Sequence, residues 1–326
     1  MELIVETVVF DLKEPFSITG HTFSDSGTVR VTLKDGGHAG RGEASGVYYL
    51  NETPETMTAD LERVRRDVEG GATRQDIQTL LSAGGARNAL DCAYWDLEAK
   101  KQGRPVSALA DLGEIRPLTT VYTITISDAE TMARNAASAA AYPHLKIKLD
   151  DVDVMARMEA IRAARPDASL VIDVNQGWNF DQLKEYAPQM EKLGVAMIEQ
   201  PMPRGGDAEL EGYKSPVPLG GDESCLHTGE YVTASKRYDV INIKLDKTGG
   251  LTEAIKLADQ AEADGKWLMV GNMVSSSLSM APAFLIGQRC RFVDLDGPLF
   301  LKHDVEPGLE FGEGGTVAIP STKLWG

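Results

Sequence analysis

The sequence predicts an α/β fold in which a small α+β domain precedes a (β/α)7β barrel. Residues 1–50 have strand patterns and residues 53–112 have helix patterns. From residue 119 onward strands and helices alternate, giving eight strand candidates with seven helices between them. This count indicates a (β/α)-barrel whose last helix is missing or replaced. A doubly wound open sheet shares the alternation, but near-equal units and the lack of an early glycine-rich phosphate turn favour the barrel.

The first domain, residues 1–114, is predicted from strands followed by helices, an order typical of α+β structure. Its strands are expected at residues 2–12, 28–33 and 39–43. A polar loop containing His21 is expected at residues 19–27. Thr53-Pro54 is a helix start signal, and the helices are expected at residues 54–68, 74–82 and 86–103.

The barrel is assigned to residues 115–305, and residues 306–326 are expected to return to the first domain. The eight strands are expected at residues 119–126, 146–149, 170–174, 197–199, 219–222, 240–245, 267–271 and 292–295. The first intervening helix opens with a capping box at residues 127–130. The other helices are expected at residues 152–164, 180–193, 208–213, 230–236, 251–264 and 278–288.

Composition and charge exclude several classes of protein. A net charge of −16 argues against a nucleic-acid partner, whose phosphates would be repelled. No run of about 18 apolar residues is present, so no membrane-spanning helix is expected, and the N-terminus lacks the pattern of a signal peptide. The three cysteines are odd in number and lack metal-type spacing, which favours a reducing compartment. We therefore expect a cytoplasmic protein.

Two lysines lie two residues apart in the predicted second barrel strand. Strand side chains alternate between faces, so Lys146 and Lys148 must point the same way. Two ammonium groups on one face of a buried strand repel each other and are costly to desolvate. Their presence predicts an anionic group in front of them.

Charged residues recur at the ends of five successive barrel strands. The intervals between them are 22 to 26 residues, close to one barrel unit, and the residues are Lys148, Asp173, Glu199, Asp222 and Lys244. Because barrel active sites are built at the carboxyl ends of the strands, these side chains are expected to converge on one pocket.

The three acidic residues of this series indicate a metal site. Three carboxylates that meet in one place cannot all stay ionised without a cation. Asp173, Glu199 and Asp222 are all hard oxygen ligands, which selects Mg²⁺, or Mn²⁺ in its place. A single acid at such a position is more often a cap or an ion-pair partner, but three at consecutive strand ends are harder to explain that way.

The two lysines at the ends of the series suggest proton transfer. Lys148 and Lys244 come from the second and sixth strands, on opposite sides of an eight-stranded barrel. A substrate carboxylate on the metal would then have one amine above each face of its α-carbon. We expect burial, with a nearby Mg²⁺ and a second lysine, to depress a lysine pKa so that the amine can accept a proton, while the metal carries the charge on the enediolate oxygens. The alternative for Lys244 is an edge residue that snorkels to solvent.

The strand-end motifs resemble those of the muconate-lactonising-enzyme subgroup of the enolase superfamily, over most of the chain. The motifs are Lys146-x-Lys148, Val171-Ile172-Asp173-Val174-Asn175, Ile198-Glu199-Gln200-Pro201, Gly221-Asp222-Glu223-Ser224 and Asn242-Ile243-Lys244. The resemblance implies a modified TIM barrel with an α+β capping domain. It also implies Mg²⁺ ligation by Asp173, Glu199 and Asp222, acid/base roles for Lys148 and Lys244, and oxyanion stabilisation by Lys146.

The end of strand eight selects among the reactions of this subgroup. Strand seven has no histidine, which favours the two-lysine branch over a histidine-dependent one. Asp294-Leu295-Asp296 looks like the signature of dipeptide epimerases, where two acids hold the free amino group of a dipeptide. The alternative is that Asp294 caps a turn before Gly297-Pro298. The resemblance thus implies inversion of the α-carbon of the C-terminal residue of a dipeptide.

Two further residues are candidate substrate contacts. Thr123, on strand one, resembles a pocket-lining position, although ordinary β structure explains a strand threonine equally well. His21 lies near the position where relatives acting on L-Ala-D/L-Glu are expected to carry an arginine. A histidine contacts an anion only when protonated or as a neutral donor, so an uncharged second residue, as in L-Ala-L-Ala, is an alternative to glutamate.

The sequence is also compatible with other functions. The alternatives are an N-acylamino acid racemase, an o-succinylbenzoate synthase or a muconate cycloisomerase, none of which needs the acid pair at residues 294 and 296. A Mg²⁺-dependent binding protein without catalysis is a third class, which the intact strand-end series disfavours. The partner expected in every enzyme case is a small molecule, and a homo-oligomer is expected.

Overall fold

The first element of the chain is an antiparallel sheet in the order β1-β2-β3. The structure is a computed structural model that describes residues 1–326. The strands of the sheet are β1 (Glu2–Ile18), β2 (His21–Asp35) and β3 (His38–Ala44). The pairing of β1 with β2 is interrupted between Asp11 and Phe16, where β1 bulges.

The predicted polar loop at residues 19–27 is wrong, because most of this segment is paired strand. Ile18 lies opposite His21, and Phe16 lies opposite Phe23, so the hairpin is tight. Its end projects beyond the body of the sheet, and the polar residues there are largely exposed. A strand with little burial on either face lacks the alternation of apolar and polar residues that would have revealed it.

Four helices follow the sheet: α1 (Pro54–Glu69), α2 (Ile77–Leu80), α3 (Gly85–Gln102) and α4 (Val106–Leu109). Helix α3 packs directly on β3 through backbone contact. A Cβ atom at Gly42 would lie 2.1 Å from the carbonyl oxygen of Ala89, so only glycine fits. An apolar cluster between the sheet and helices α1 and α3 forms the core of this part of the chain.

The rest of the chain is built on an eight-stranded parallel sheet in sequential order, and the predicted α/β fold, a (β/α)7β modified TIM barrel with a capping domain, is confirmed. The strands are β5 (Tyr122–Ile124), β6 (His144–Lys148), β7 (Ser169–Asp173), β8 (Val195–Glu199), β9 (Leu219–Gly221), β10 (Val240–Ile243), β11 (Trp267–Val270) and β12 (Phe292–Val293). The amide of Val121 donates to the carbonyl oxygen of Val293 at 2.9 Å, which joins the two ends of the sheet.

Helices connect most of these strands: α5 (Ala129–Ser138), α6 (Val154–Ala164), α7 (Phe180–Lys192), α8 (Thr228–Ala234), α9 (Leu245–Thr248), α10 (Leu251–Ala263) and α11 (Ser277–Gly287). Two details differ from the prediction. The helix expected at residues 208–213 is only a 3-10 turn, Ala208–Leu210. A one-turn helix, α9, follows Lys244 directly and ends at Gly249, whose φ of 76° favours glycine.

The C-terminal segment contacts both parts of the molecule. Strand β13 (Thr316–Val317) pairs with β4 (Leu118–Thr119), which precedes the barrel. The indole Nε1 of Trp325 donates to the carbonyl oxygen of Cys92 in α3 at 3.0 Å. The larger apolar core lies between the barrel strands and the surrounding helices, and it includes Trp325. None of the helices combines the length and apolar character that crossing a membrane requires.

Candidate active site

The five charged residues predicted at strand ends lie side by side at the carboxyl edge of the barrel. Lys148, Asp173 and Glu199 are the last residues of β6, β7 and β8. Lys148 lies opposite Asp173 in the strand register, and Asp173 lies opposite Glu199. Asp222 and Lys244 directly follow β9 and β10. All five side chains are buried.

The lysines of β6 face carboxylates, as their alternation predicts. Lys146 Nζ lies 3.0 Å from Asp173 Oδ2, 2.8 Å from Glu199 Oε2 and 2.8 Å from Asp294 Oδ2. Lys148 Nζ lies 2.7 Å from Asp173 Oδ2 and donates to Asn175 Oδ1 at 3.1 Å. Asp173 therefore forms an ion pair with both lysines.

The proximity of these charges shifts the pKa values of the carboxyl groups in opposite directions. Burial would raise the pKa of Asp173, but Lys146 and Lys148 outweigh burial and lower it to about 2. Burial and the neighbouring Asp173 carboxylate raise the pKa of Glu199 to about 7. Glu223, beside Asp222, has its pKa raised to about 8 by burial and by that neighbour. The site thus contains more carboxyl groups than the lysine ammonium groups alone can keep ionised.

The expected lowering of a catalytic lysine pKa depends on Mg²⁺ beside the amine and stays a prediction, whereas the protein groups around Lys244 act on its pKa in opposite directions. Burial does act to lower it, but the Asp222 carboxylate, 2.7 Å from Lys244 Nζ, outweighs burial and raises the pKa above its ordinary value. The pKa of Lys146 is likewise raised, against its burial, by its three carboxylate neighbours. The sequence showed the buried lysines but not which carboxylate would pair with each.

The donor set fits a hard divalent cation, although the acids do not gather into a three-ligand cluster. Each carboxylate faces a lysine ammonium instead. Apart from such ammonium contacts, Glu199 Oε2 and both carboxylate oxygens of Asp222 are buried and accept no hydrogen bond. Oxygen atoms of this kind are the ligands that Mg²⁺ prefers. Asp173, Glu199 and Asp222 are therefore the residues that would hold it.

Three residues that sequence reasoning missed orient the acids. Asn242 Nδ2 donates to Glu199 Oε1 at 2.6 Å. Lys247 Nζ, fully buried, lies 2.6 Å from Asp222 Oδ1 and donates to the Asp222 carbonyl oxygen at 2.6 Å. Asn272 Nδ2 donates to Asp294 Oδ1 at 2.9 Å. Asn242 lies two residues before Lys244 on the same strand face, and this period-two spacing is the signal that could have revealed it.

The acid pair at the end of the eighth strand lies next to this cluster. Asp294 contacts Lys146, as noted above, and Asp296 Oδ2 accepts a hydrogen bond from the backbone amide of Thr123 at 2.7 Å. Burial and the adjacent Asp294 carboxylate raise the pKa of Asp296 well above its ordinary value. The alternative role of Asp294, a turn cap, receives no support from its side-chain partners, Lys146 and Asn272.

A cavity of ≈ 410 Å³ connects the barrel edge with the capping sheet. The barrel contributes charged and polar groups to its lining, among them Lys146, Lys148, Lys244, Asp294, Asp296, Thr123 and Asn272. The first 55 residues contribute apolar and aromatic groups, including Phe16, Ile18, Phe23, Tyr48 and Tyr49, together with polar and acidic ones such as Asp25 and Glu52. His21 is not part of this lining; its exposed ring packs against Phe23 and Tyr48, with centroid distances of 4.2 and 5.3 Å.

This arrangement is suited to proton transfer at a carbon next to a carboxylate. Lys148 and Lys244 approach the cavity from strands separated by β7, β8 and β9, so they do not lie on the same side. The carboxylates between them can bind a cation, and the acid pair next to Lys146 can bind a hydrogen-bond donor of the substrate. The cavity is within the size range of small-molecule sites, roughly 300–1,000 Å³.

Comparison with known families gives matches along nearly the whole chain. Residues 1–112 match the N-terminal domain of mandelate racemase / muconate lactonizing enzyme, and residues 128–323 match the enolase C-terminal domain-like family. The L-Ala-D/L-Glu epimerase of Escherichia coli is 41% identical over 93% of this chain and 95% of its own. An N-acetyl-D-glutamate racemase of Pseudoalteromonas is 43% identical over 76% of this chain and 78% of its own.

Solved structures agree with these matches. An enolase family member from Agrobacterium tumefaciens, with homology to dipeptide epimerases and with bound sodium and L-Ala-L-Glu, superposes with a TM-score of 0.96. It is 43% identical, and the match covers 99% of both chains. A dipeptide epimerase from Methylococcus capsulatus, complexed with Mg and L-Arg-D-Lys, has a TM-score of 0.88 at 29% identity, over 98% of this chain and 96% of its own.

Proposed function

The chain belongs to the mandelate racemase / muconate lactonizing enzyme family of the enolase superfamily, and we propose that it is a Mg²⁺-dependent dipeptide epimerase. It is an isomerase that inverts the α-carbon of the C-terminal residue of a dipeptide such as L-Ala-L-Glu. The observation that carries the proposal is the pair of lysines, Lys148 and Lys244, on either side of three buried carboxylates, with the Asp294-x-Asp296 pair beside them in the same cavity.

The lysines are the groups that move the proton. One amine removes the α-proton and the other returns a proton to the opposite face, because β6 and β10 lie on different sides of the cavity. Lys146 holds its ammonium within 3.0 Å of both Asp173 and Glu199, which supports a role in stabilising negative charge on the substrate carboxylate.

Asp173, Glu199 and Asp222 would hold the Mg²⁺ ion, and Mn²⁺ has the same preference for oxygen ligands. When bound, the ion would supply positive charge against the anion that develops on the substrate carboxylate, and it would compete with Lys244 for the charge of Asp222. Asn242 and Lys247 keep two of these carboxylates in place by direct contact.

The amino end of the dipeptide is assigned to the acid pair. Asp294 and Asp296 are buried and line the cavity, so an ammonium group there would be paired with a carboxylate rather than left exposed to apolar walls. Thr123 contributes through its backbone amide, which fixes the orientation of Asp296.

An N-acylamino acid racemase is the second candidate, and a specific observation favours it. The two acids carry less free charge than their number suggests, because Lys146 neutralises Asp294 and because Asp296 has a raised pKa. N-acetylglutamate keeps the amide and the glutamyl residue of L-Ala-Glu but lacks the amino group and one carbon of the alanyl residue. The similarity to the N-acetyl-D-glutamate racemase points in the same direction.

The test is α-proton exchange in heavy water, with L-Ala-L-Glu and N-acetyl-L-glutamate offered separately in the presence of Mg²⁺. A dipeptide epimerase incorporates deuterium at the glutamyl α-carbon and forms the L,D-epimer with higher kcat/KM for the dipeptide. Higher kcat/KM for N-acetylglutamate would establish the second candidate.

Chelation of the metal serves as the control, and both rates should then fall to background. Lack of exchange with a panel of dipeptides and N-acylamino acids in the presence of Mg²⁺ would contradict both candidates.

A further inference from the structure

A second cavity of ≈ 480 Å³ lies beside the active-site cavity. It occupies the joint where the bulge of β1, at Lys13, Glu14 and Pro15, meets the 3-10 turn Gly297–Phe300 that follows the acid pair. Lys13 Nζ donates to the carbonyl oxygen of Leu299 at 2.8 Å, and the amide of Lys302 donates to the carbonyl oxygen of Asp11 at 2.8 Å. These bonds hold the bulge against the barrel.

Two residues, Phe16 and Thr123, line both cavities. Phe16 is 8% exposed, and its ring contacts Phe300 edge to face with a centroid distance of 5.0 Å. Its partner across the hairpin, Phe23, lines the active-site cavity only. The Phe16 side chain therefore forms part of the wall between the two cavities.

The second cavity lies next to the acid pair, to which the proposed function assigns the amino end of the substrate. Asp296 lines the active-site cavity, and its side chain accepts from the backbone amide of Thr123, which belongs to the shared wall. The turn that follows Asp296 supplies Leu299 and Phe300 to the second cavity. The N-terminal group of a substrate whose amino end is held by the acid pair would therefore lie next to the wall between the two cavities.

The chemistry of the second cavity suits an aromatic ring. The rings of Tyr122 and Tyr142 lie 4.7 Å apart, and the ring of Phe300 lies 5.7 Å from Tyr122. A further ring placed beside them would make offset aromatic contacts of the same kind. The volume is also within the range of small-molecule sites, roughly 300–1,000 Å³.

We propose that Phe16 sets the size limit for the N-terminal group of the substrate. The second cavity is a subsite for an aromatic group, and the Phe16 ring closes this subsite off from the active-site cavity. This inference rests on the proposed function, because the acid pair must hold the N-terminal end. With Phe16 in place the enzyme accepts small groups such as alanyl or acetyl. Removal of the ring joins the two cavities and admits a phenylalanyl or phenylacetyl group.

The experiment compares kcat/KM for L-Phe-L-Glu with that for L-Ala-L-Glu in the wild type and in Phe16→Ala. The ratio of the two should rise at least about tenfold in the variant, since burial of a large apolar group in a fitting pocket gives discrimination of this order. N-Phenylacetyl-glutamate and N-acetylglutamate form a parallel pair in case the enzyme prefers acylated substrates. Phe16→Leu, a smaller truncation, replaces Phe16→Ala if that variant fails to fold.

Two controls make the inference falsifiable. Phe23→Ala truncates the cross-strand neighbour of Phe16, which lines only the active-site cavity, and should leave the ratio close to that of the wild type. Adding Ser138→Trp, which fills the second cavity from helix α5, should abolish the gain of Phe16→Ala. An unchanged ratio in folded, active Phe16→Ala, or an equal rise in Phe23→Ala, overturns the inference. Failure of the proposed function is distinct, since the wild type would then exchange neither the alanyl nor the acetyl substrate.

Discussion

At the scale of single residues, Lys148 and Lys244 differ in the carboxylate that each one contacts. Lys148 pairs with Asp173, which also binds Lys146, whereas Lys244 pairs with Asp222, which also binds Lys247. The two amines therefore have separate carboxylates as their nearest partners. This separation is what a two-base reaction needs, because one amine must be neutral while the other is protonated.

We predict that Lys148→Met and Lys244→Met each abolish inversion but retain exchange with one epimer. Each variant keeps a single base, which can remove and return a proton only on its own face. Inversion should fall by about 10²- to 10⁴-fold, the usual contribution of a general acid or base. NMR of both epimers in heavy water measures exchange and inversion separately.

A matched control is Lys184→Met, which removes an exposed lysine from α7 and should leave both rates unaltered. If both active-site variants retained exchange with the same epimer, the two amines would act on one face and the assignment would be incorrect.

The sequence was sufficient to identify most of the charged residues of the site. It was not sufficient to predict which lysine pairs with which carboxylate. The recurrence of charged residues every 22 to 26 positions located Lys148, Asp173 and Glu199 correctly at strand ends. The raised pKa of Lys244 depends on the 2.7 Å contact with Asp222, which no sequence pattern specifies. Their roles in catalysis and metal binding stay predictions.

At the scale of elements, helix α3 holds the start of helix α10 in place. Asp91 Oδ2 accepts from the backbone amide of Thr252 at 3.0 Å, in the first turn of α10, and Asp91 Oδ1 accepts from Gln78 Nε2 at 2.8 Å. Asp91 is fully buried, and burial raises its pKa from 3.8 to about 6 even though these hydrogen bonds act to lower it.

This shift predicts a pH dependence of stability. The folded protein binds the Asp91 proton more tightly than the unfolded chain does, so the contribution is fully present below about pH 4 and is lost as the pH rises through about 6. The free energy of unfolding should fall by about 3 kcal/mol at most from this group. Urea unfolding of the wild type and of Asp91→Asn, at about pH 4.5 and 7.5, measures this free energy. Between the two pH values it should fall less in the variant than in the wild type.

Asp181→Asn, which alters an exposed carboxyl group on α7, should keep the pH dependence of the wild type. A fall in Asp91→Asn as large as that in the wild type would mean that Asp91 does not titrate in this range.

The elements that could be predicted are those with a buried face. Buried barrel strands such as β6 and β7 were located to within two residues. The hairpin of β1 and β2 was missed because its end is exposed and polar. The bulge of β1 was equally invisible, since its geometry depends on contacts with the segment after β12.

At the scale of the whole molecule, the C-terminal residues join the two parts of the chain. Leu324 and Trp325 are buried, and Arg41 Nη2 donates to the Leu324 carbonyl oxygen at 2.6 Å. The amide of Gly326 donates to Asp96 Oδ1 in α3 at 2.8 Å. The expected division at residues 114 and 305 stays a prediction.

We predict that Trp325→Ala lowers the free energy of unfolding by about 3–5 kcal/mol, the usual cost of truncating a buried tryptophan. The indole also donates to the Cys92 carbonyl oxygen, which would lose its partner. Thermal or urea unfolding measures the loss. Trp267→Ala is the control, because that tryptophan is 39% exposed and should cost less. Equal losses in both variants would contradict the role assigned to the C-terminal segment.

The cavity draws its reactive groups and its walls from different stretches of the chain. Every ionisable group that handles the proton or the metal comes from β6 onward, whereas the hairpin and the tyrosines that surround the substrate come from the first 55 residues. Changes in the first 55 residues can therefore alter the substrate specificity of the enzyme without disturbing its chemistry. Adaptation to new peptide substrates is expected to change residues of the hairpin, while the residues at the strand ends stay the same.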